Sequence, residues 1–187
     1  MEEVMNVEER ILNACRELAR EKGFYRMNMD ELAARAGVSK RTLYRYFRSK
    51  EEIIEATIDR FLAEMAVTVN HLAEAEHDSE IFLQTVFDQL FKAGQFIINP
   101  FTLDDLRVHY PHLWNKIDSF RMERIQLIVQ HWLTQSDKHT GIDPRIVTAA
   151  TIACIQAILN PAFIINNGLT FESTARQLSR LLTAALK

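Results

Sequence analysis

Three helix-starting signatures within the first forty residues decide what this part of the chain can become. Asn6 stands three residues ahead of Glu9, and Asn28 three ahead of Glu31. Each pair has the form of a capping box, in which the cap side chain and the later carboxylate satisfy each other's orphan backbone N–H groups. Ser39 offers a third cap, just before KRTLYRYF. Gly23 and Gly37 sit where a glycine commonly ends a helix. Between these marks Ile11, Leu12, Cys15, Leu18 and Ala19 recur at the 3–4 spacing of one buried helical face. Leu32, Ala33 and Ala36 form the inward face of a short second helix. Leu43 and Phe47, four apart, form that of a third.

The helical reading extends along the chain. Ser49 caps a fourth helix whose apolar positions run from Ile53 through Phe61, Leu62 and Met65 to Val69. An aromatic-rich helix spans about 79–98, stopped by Asn99-Pro100, and a shorter piece covers Thr102 to His109. Pro111 and Pro144 suit first helical positions. The first opens a helix through Trp114, Phe120 and Trp132. The second opens a long apolar helix, interrupted by Pro161 and ended by Asn167-Gly168. A last helix runs from about Glu172 to Leu186. Five glycines and four prolines in 187 residues are too few for a β-rich fold. The expected fold is all-α, with nine helices.

Charge is unevenly placed. Residues 1–52 carry 11 Lys and Arg against 10 Asp and Glu, a net of +1; residues 53–187 carry 11 against 15, a net of −4. Within the first part, positions 35–50 hold six basic residues and no acid. A basic block in an otherwise near-neutral or acidic chain fits a local anion-binding face, although solvated helix surfaces also look like this.

Other chemistries find little support. The acidic N-terminus has no apolar run of a signal peptide, and no apolar stretch of about 18 residues is present, so a cytoplasmic protein without a membrane span is expected. Cys15 and Cys154 lie on apolar faces and read as small buried hydrophobes. His109 and His112 straddle Pro111, which disrupts the geometry that an i, i+3 metal pair needs, so no metal is expected. No nucleophile–base set, paired-carboxylate site or phosphate loop stands out, so neither catalysis nor a cofactor is expected.

A short helix, an AGVS turn and a short basic helix together satisfy the physical requirements of a helix-turn-helix. Gly37 supplies a tight left-handed turn, and Ala33 and Ala34 let two helices approach closely. The Ser39 cap turns the N–H groups of the basic helix outward, where a phosphate can meet them. That helix would enter a major groove. Residues 23–52, GFYRMNMDELAARAGVSKRTLYRYFRSKEE, closely resemble the DNA-binding signature of the TetR family of bacterial transcription regulators. The pattern LAxxAGVSxxTLYxYFxSKEE fits over many consecutive positions, and the remaining three quarters agree only in length, helix count and a long apolar penultimate helix.

The resemblance implies a DNA-binding domain over 1–49, with a three-helix head, and a six-helix ligand-binding and dimerisation domain over 50–187. It places Asn28 at the cap of the second helix, often against phosphate. Ser39, Lys40, Arg41, Thr42, Tyr44 and Arg45 lie on or at the start of the recognition helix. Tyr46 takes the aromatic position that usually grips phosphate, and Lys50 typically closes the phosphate contact. Many members have a small residue where this chain has Arg41, and an arginine can read guanine directly.

The resemblance further implies that helices four to seven enclose an effector cavity. The candidate lining is Phe61, Met65, Phe87, Phe91, Phe96, Trp114 and Phe120, with Gln95, Asn99, His109 and Tyr110 as polar anchors, though core packing explains any one of them as well. Between Phe61 and Phe120 the basic residues considered are Lys92, Arg107 and Lys116, so a small hydrophobic or aromatic effector is expected over a polyanion. Val147, Ala150, Cys154, Ala157 and Ile158, with Leu178, Leu181 and Leu182 on the last helix, fit the four-helix homodimer interface implied by the resemblance. The implied function is a ligand-responsive repressor on double-stranded operator DNA. An effector-independent or activating DNA-binding protein, or a helical small-molecule-binding enzyme, stays open at this point.

Overall fold

The computed structural model describes residues 6–75, 85, 96–97, 99–134 and 142–185. Among them it contains nine helices and no strand: α1 (Val7–Lys22), α2 (Met29–Ala36), α3 (Lys40–Tyr46), α4 (Lys50–Ala75), α5 (Pro100–Val108), α6 (Pro111–Thr134), α7 (Pro144–Ile158), α8 (Pro161–Asn166) and α9 (Phe171–Ala185). Of the helix expected over 79–98, only residues 85 and 96–97 are among the described residues. The expected Pro144 helix is two helices here. Proline cannot donate within a helix, so α7 ends at Ile158 and Asn160 caps α8, accepting from the Ala162 N–H at 2.9 Å.

The chain divides into two compact units, Met1–Ala63 with Gly94–Ile117, and Glu64–Ala93 with Asp118–Lys187. The first unit therefore does not end at residue 49. It joins α1–α3 to the first part of α4, to α5 and to the start of α6. Its core is the face read from the spacing: Ile11, Cys15 and Leu18 of α1, Leu32 of α2, Leu43 of α3 and Ile53, Ile54 and Ile58 of α4 are all buried. Burying one such side chain is worth about 1.5–3 kcal/mol. The remoter Leu103 and Leu106 of α5 are buried in the same unit.

Helix α5 packs on α1, and polar bonds fix that contact. The Ala19 carbonyl, which already accepts the Gly23 N–H at 2.9 Å, also accepts from the buried Thr102 Oγ1 at 3.1 Å. Asp105 of α5 accepts the Tyr25 N–H at 2.7 Å. Gly23, at φ 84 and ψ 171, occupies backbone space essentially restricted to glycine. A Cβ there would lie 2.3 Å from Asp105 Oδ2, so the absent side chain also makes room for the carboxylate.

In the second unit α9 packs on α7 and α8. Thr151 and Ile155 of α7, Ile164 of α8, and Phe171, Ala175, Leu178 and Leu182 of α9 are buried.

Candidate functional site

The turn between α2 and α3 is built from the backbone outward. Gly37 is left-handed at φ 63, and the Val38 and Gly37 N–H groups bond back to the Ala33 and Ala34 carbonyls, the paired closure of a helix C-terminus. Arg10 of α1 locks this turn from behind: its Nε and Nη2 donate to the Ala36 carbonyl at 3.0 and 2.7 Å, and Nη2 to the Gly37 carbonyl at 2.6 Å. Arg10 has no local signal; its partners lie 26 and 27 residues away. Both capping boxes form, and Ser39 Oγ accepts the Thr42 N–H at 3.0 Å.

Leu43 and Phe47 are buried and set the roll of α3. That turns Lys40, Arg41, Tyr44 and Arg45 outward with Tyr46, Tyr44 at 48% exposed and Tyr46 at 41%. The Thr42 hydroxyl is held 2.8 Å from Ser39 Oγ. Asn28 spends its side-chain oxygen on the Asp30 and Glu31 N–H groups, both at 3.0 Å. Its amide nitrogen is not needed for the cap.

The six basic residues of the block lie in different settings. Arg35 faces α1, ion-paired to Glu17 at 3.2 Å and Glu21 at 2.8 Å, which holds the Glu21 carboxyl below its usual range. Arg35 thus docks α2 on α1. Lys40 pairs with Asp30 at 2.9 Å; the pair is in water, where such contacts hold weakly and yield to a phosphate. Arg41, Arg45 and Arg48 are exposed, and Arg45 lies over the Tyr46 ring at 5.4 Å.

Lys50 is different. Its ammonium donates to the Tyr25 and Met27 carbonyls at 2.9 and 3.2 Å and lies 5.6 Å over the Tyr25 ring. Burial lowers its pKa from the ordinary lysine value. An ammonium carries three N–H donors, so two clamp the α1–α2 turn and one is left over. Lys50→Ala is expected to weaken DNA binding and also to lower unfolding stability by about 1 kcal/mol, allowing for solvent access. Urea unfolding checks this; an unchanged midpoint would make Lys50 a phosphate ligand only.

The residues expected around an effector divide. Phe61 and Phe96 are buried and meet edge-to-face at 5.2 Å, with Phe24 against Phe96 at 6.5 Å and Arg16 over Phe96 at 5.4 Å. Tyr110 is buried, and its hydroxyl is pushed up to about 12 chiefly by burial. Trp114 is half-buried beneath Arg107 at 4.9 Å. Met65 is buried and Phe120 half-buried. His109 departs from the expectation of a pocket anchor. As the C-cap of α5 it is exposed and stacks on Tyr25, ring centroids 3.8 Å apart, while His112 faces Glu51 at 3.3 Å. Lys116 is held by Glu55 and Asp59. Phe87, Phe91, Lys92 and Gln95 lie outside the described residues. Burial pushes the Cys15 thiol up to about 12, which suits a packed hydrophobe and no thiolate chemistry.

The candidate dimer residues divide too. Ala150 and Ala157 are exposed on α7, with Val147, Cys154 and Ile158 half-buried. Leu181 of α9 is 55% exposed. Leu178 and Leu182, by contrast, are buried in the chain's own second unit. Helix α9 packs on α7 and α8 in that unit.

The residues that build this head match the family model for bacterial regulatory proteins of the tetR family over 11–57. The uncharacterized HTH-type transcriptional regulator YvaF of Bacillus subtilis (strain 168) is 30% identical over 168 residues, covering 88% of this chain and 87% of the relative. The chain belongs to the TetR family. It is a helix-turn-helix transcription regulator rather than an enzyme. The TetR-like fold extends beyond the head. The fatty acid degradation regulator FadR from Bacillus halodurans superposes with a TM-score of 0.68 at 16% identity, over 97% of this chain and 96% of that one. The regulator FadR from Bacillus subtilis in complex with stearoyl-CoA superposes at 0.60 and 16%, over 95% and 98%. No helix among the described residues of this TetR-family chain is long and apolar enough to cross a membrane.

Proposed function

We propose that this TetR-family regulator is a repressor that a small hydrophobic molecule releases from its operator. The observation that carries the reading is the outward face of α3, where Lys40, Arg41, Tyr44 and Arg45 lie exposed with no acid among them. Residues 1–49, with Lys50 at their edge, grip the DNA, and residues 50–187 bind the effector and a second copy. A homodimer sets two α3 helices in successive major grooves, about one turn or roughly 34–36 Å apart, on a near-palindromic site. Asn28, Tyr46 and the remaining Lys50 N–H hold phosphate, while Arg41 reads base edges.

Release is a population shift. The effector binds better to a conformer whose heads are wrongly spaced, and it shifts the balance only by that difference in affinity. A hydrophobic effector is supported by the aromatic content from Phe61 to Phe120 and by the stearoyl-CoA held by a similar fold. Fluorescence anisotropy on operator DNA tests this. Lipophilic compounds that stabilise the protein to heat are expected to lower its DNA affinity by roughly 5–150-fold, the usual size of allosteric coupling. Release by nucleotides, and by no lipophilic compound, would contradict the reading.

A further inference from the structure

Two arginines one turn apart on α6 stand out from the rest of the second unit. Arg121 and Arg124 are three residues apart and therefore share a helical face. Both are largely withdrawn from water, with side chains 26% and 16% exposed. Arg121 donates through Nε and Nη2 to one oxygen of Asp118, at 3.2 and 2.6 Å. Its Nη1 is buried with no hydrogen-bond partner among the described residues. Arg124 reaches Asn70 Oδ1 of α4 through Nη1 and Glu123 Oε1 through Nη2, each at 3.4 Å. Its Nε is likewise buried without a partner among the described residues. The guanidinium lies 5.1 Å over the ring of Phe120, and Ile125 and Val129 on the same helix are buried.

A guanidinium keeps its charge, and a buried N–H without an acceptor costs free energy until one is supplied. A protein that needed only packing here would do better with apolar side chains. Charge counting narrows the acceptor. Among the described residues, two arginines set against Asp118 leave +1; Glu123 is 64% exposed and sits at the long limit of hydrogen bonding. A single negative charge balances that, and a planar carboxylate can accept from two guanidiniums at once. The residues weighed from sequence, Lys92, Arg107 and Lys116, stop short of Arg121, so the expectation of an effector without strong charge omitted this pair.

We infer that the effector is a lipophilic monocarboxylate whose acid group is held by Arg121 and Arg124, an inference that rests on the hydrophobic-effector reading above. Titration calorimetry of the full-length protein with decanoate, 1-decanol and decyl phosphate, each kept below its aggregation limit, tests it. Decanoate is expected to bind roughly tenfold or more tightly than decanol, the scale of a charge-assisted contact in a shielded site. Arg124→Gln, and independently Arg121→Gln, should shrink that ratio toward one. A general loss of folding would instead weaken both ligands together, and circular dichroism would register it. Equal wild-type affinity for decanoate and decanol would overturn the carboxylate inference while leaving a hydrophobic effector intact. Tighter binding of decyl phosphate than of decanoate would overturn the single charge. Binding of none of the three would overturn this inference and the hydrophobic-effector reading together.

Discussion

A Leu181→Glu variant is expected to sediment as a monomer and to bind operator DNA roughly 10²–10⁴-fold more weakly than the parent. Leu181 is the leucine of its cluster on α9 that remains 55% exposed, while Leu178 and Leu182 are buried within the chain. A carboxylate on that face must be desolvated against the second copy without a partner. Each separated monomer then holds one half-site and loses the high effective concentration that joins two binding events into one. Thermal stability measured on the variant should change little beyond the loss of association, because Leu181 contributes little to its own core. A parent protein that sediments as a monomer at micromolar concentration would contradict this, as would a variant that stays dimeric.

Arg41→Ala is expected to relax base preference by about 1–3 kcal/mol at one position in each half-site. The side chain is exposed in the first turn of α3, where a recognition helix meets base edges. A guanidinium can bond the two acceptors of guanine together, and alanine can bond neither. Arg45→Ala makes the comparison. If Arg45 serves phosphate, its loss should weaken all sequences alike and lower the salt slope by about one. Affinities measured across a panel of single-base operator variants separate the two effects. An Arg41→Ala profile parallel to the parent at every position would remove Arg41 from base reading.

The parts of the fold legible in the sequence are those whose physics is local. Asn6, Asn28, Ser39 and Ser49 each cap a helix through a backbone N–H within three residues, so a four-residue pattern suffices to find them. Leu43 and Phe47 are legible because one helical turn brings them together. Contacts across long separations left no such mark. Asp105 meets Tyr25 from 80 residues away, and with Thr102 it ties α5 to α1, so the compact unit that holds α1–α3 also takes in α5. Arg35 counts in the basic block because charge alone does not reveal which acceptor a flexible cation meets; it docks α2 on α1. Pro161 was visible as an interruption, yet only the Asn160 cap turns it into a new helix. Arg121 and Arg124 carry no mark in the sequence; their burial comes from tertiary packing that periodicity does not encode.

Selection of tight binders from a random pool of DNA duplexes by the purified protein tests the central claim most directly. The account predicts enrichment of a near-palindrome with half-site centres about 10 base pairs apart, or a small multiple of that. One base in each half-site should lose its enrichment when selection is repeated with Arg41→Ala. Enrichment of an unrepeated single site, or of no sequence at all, would contradict a dimeric operator-reading regulator.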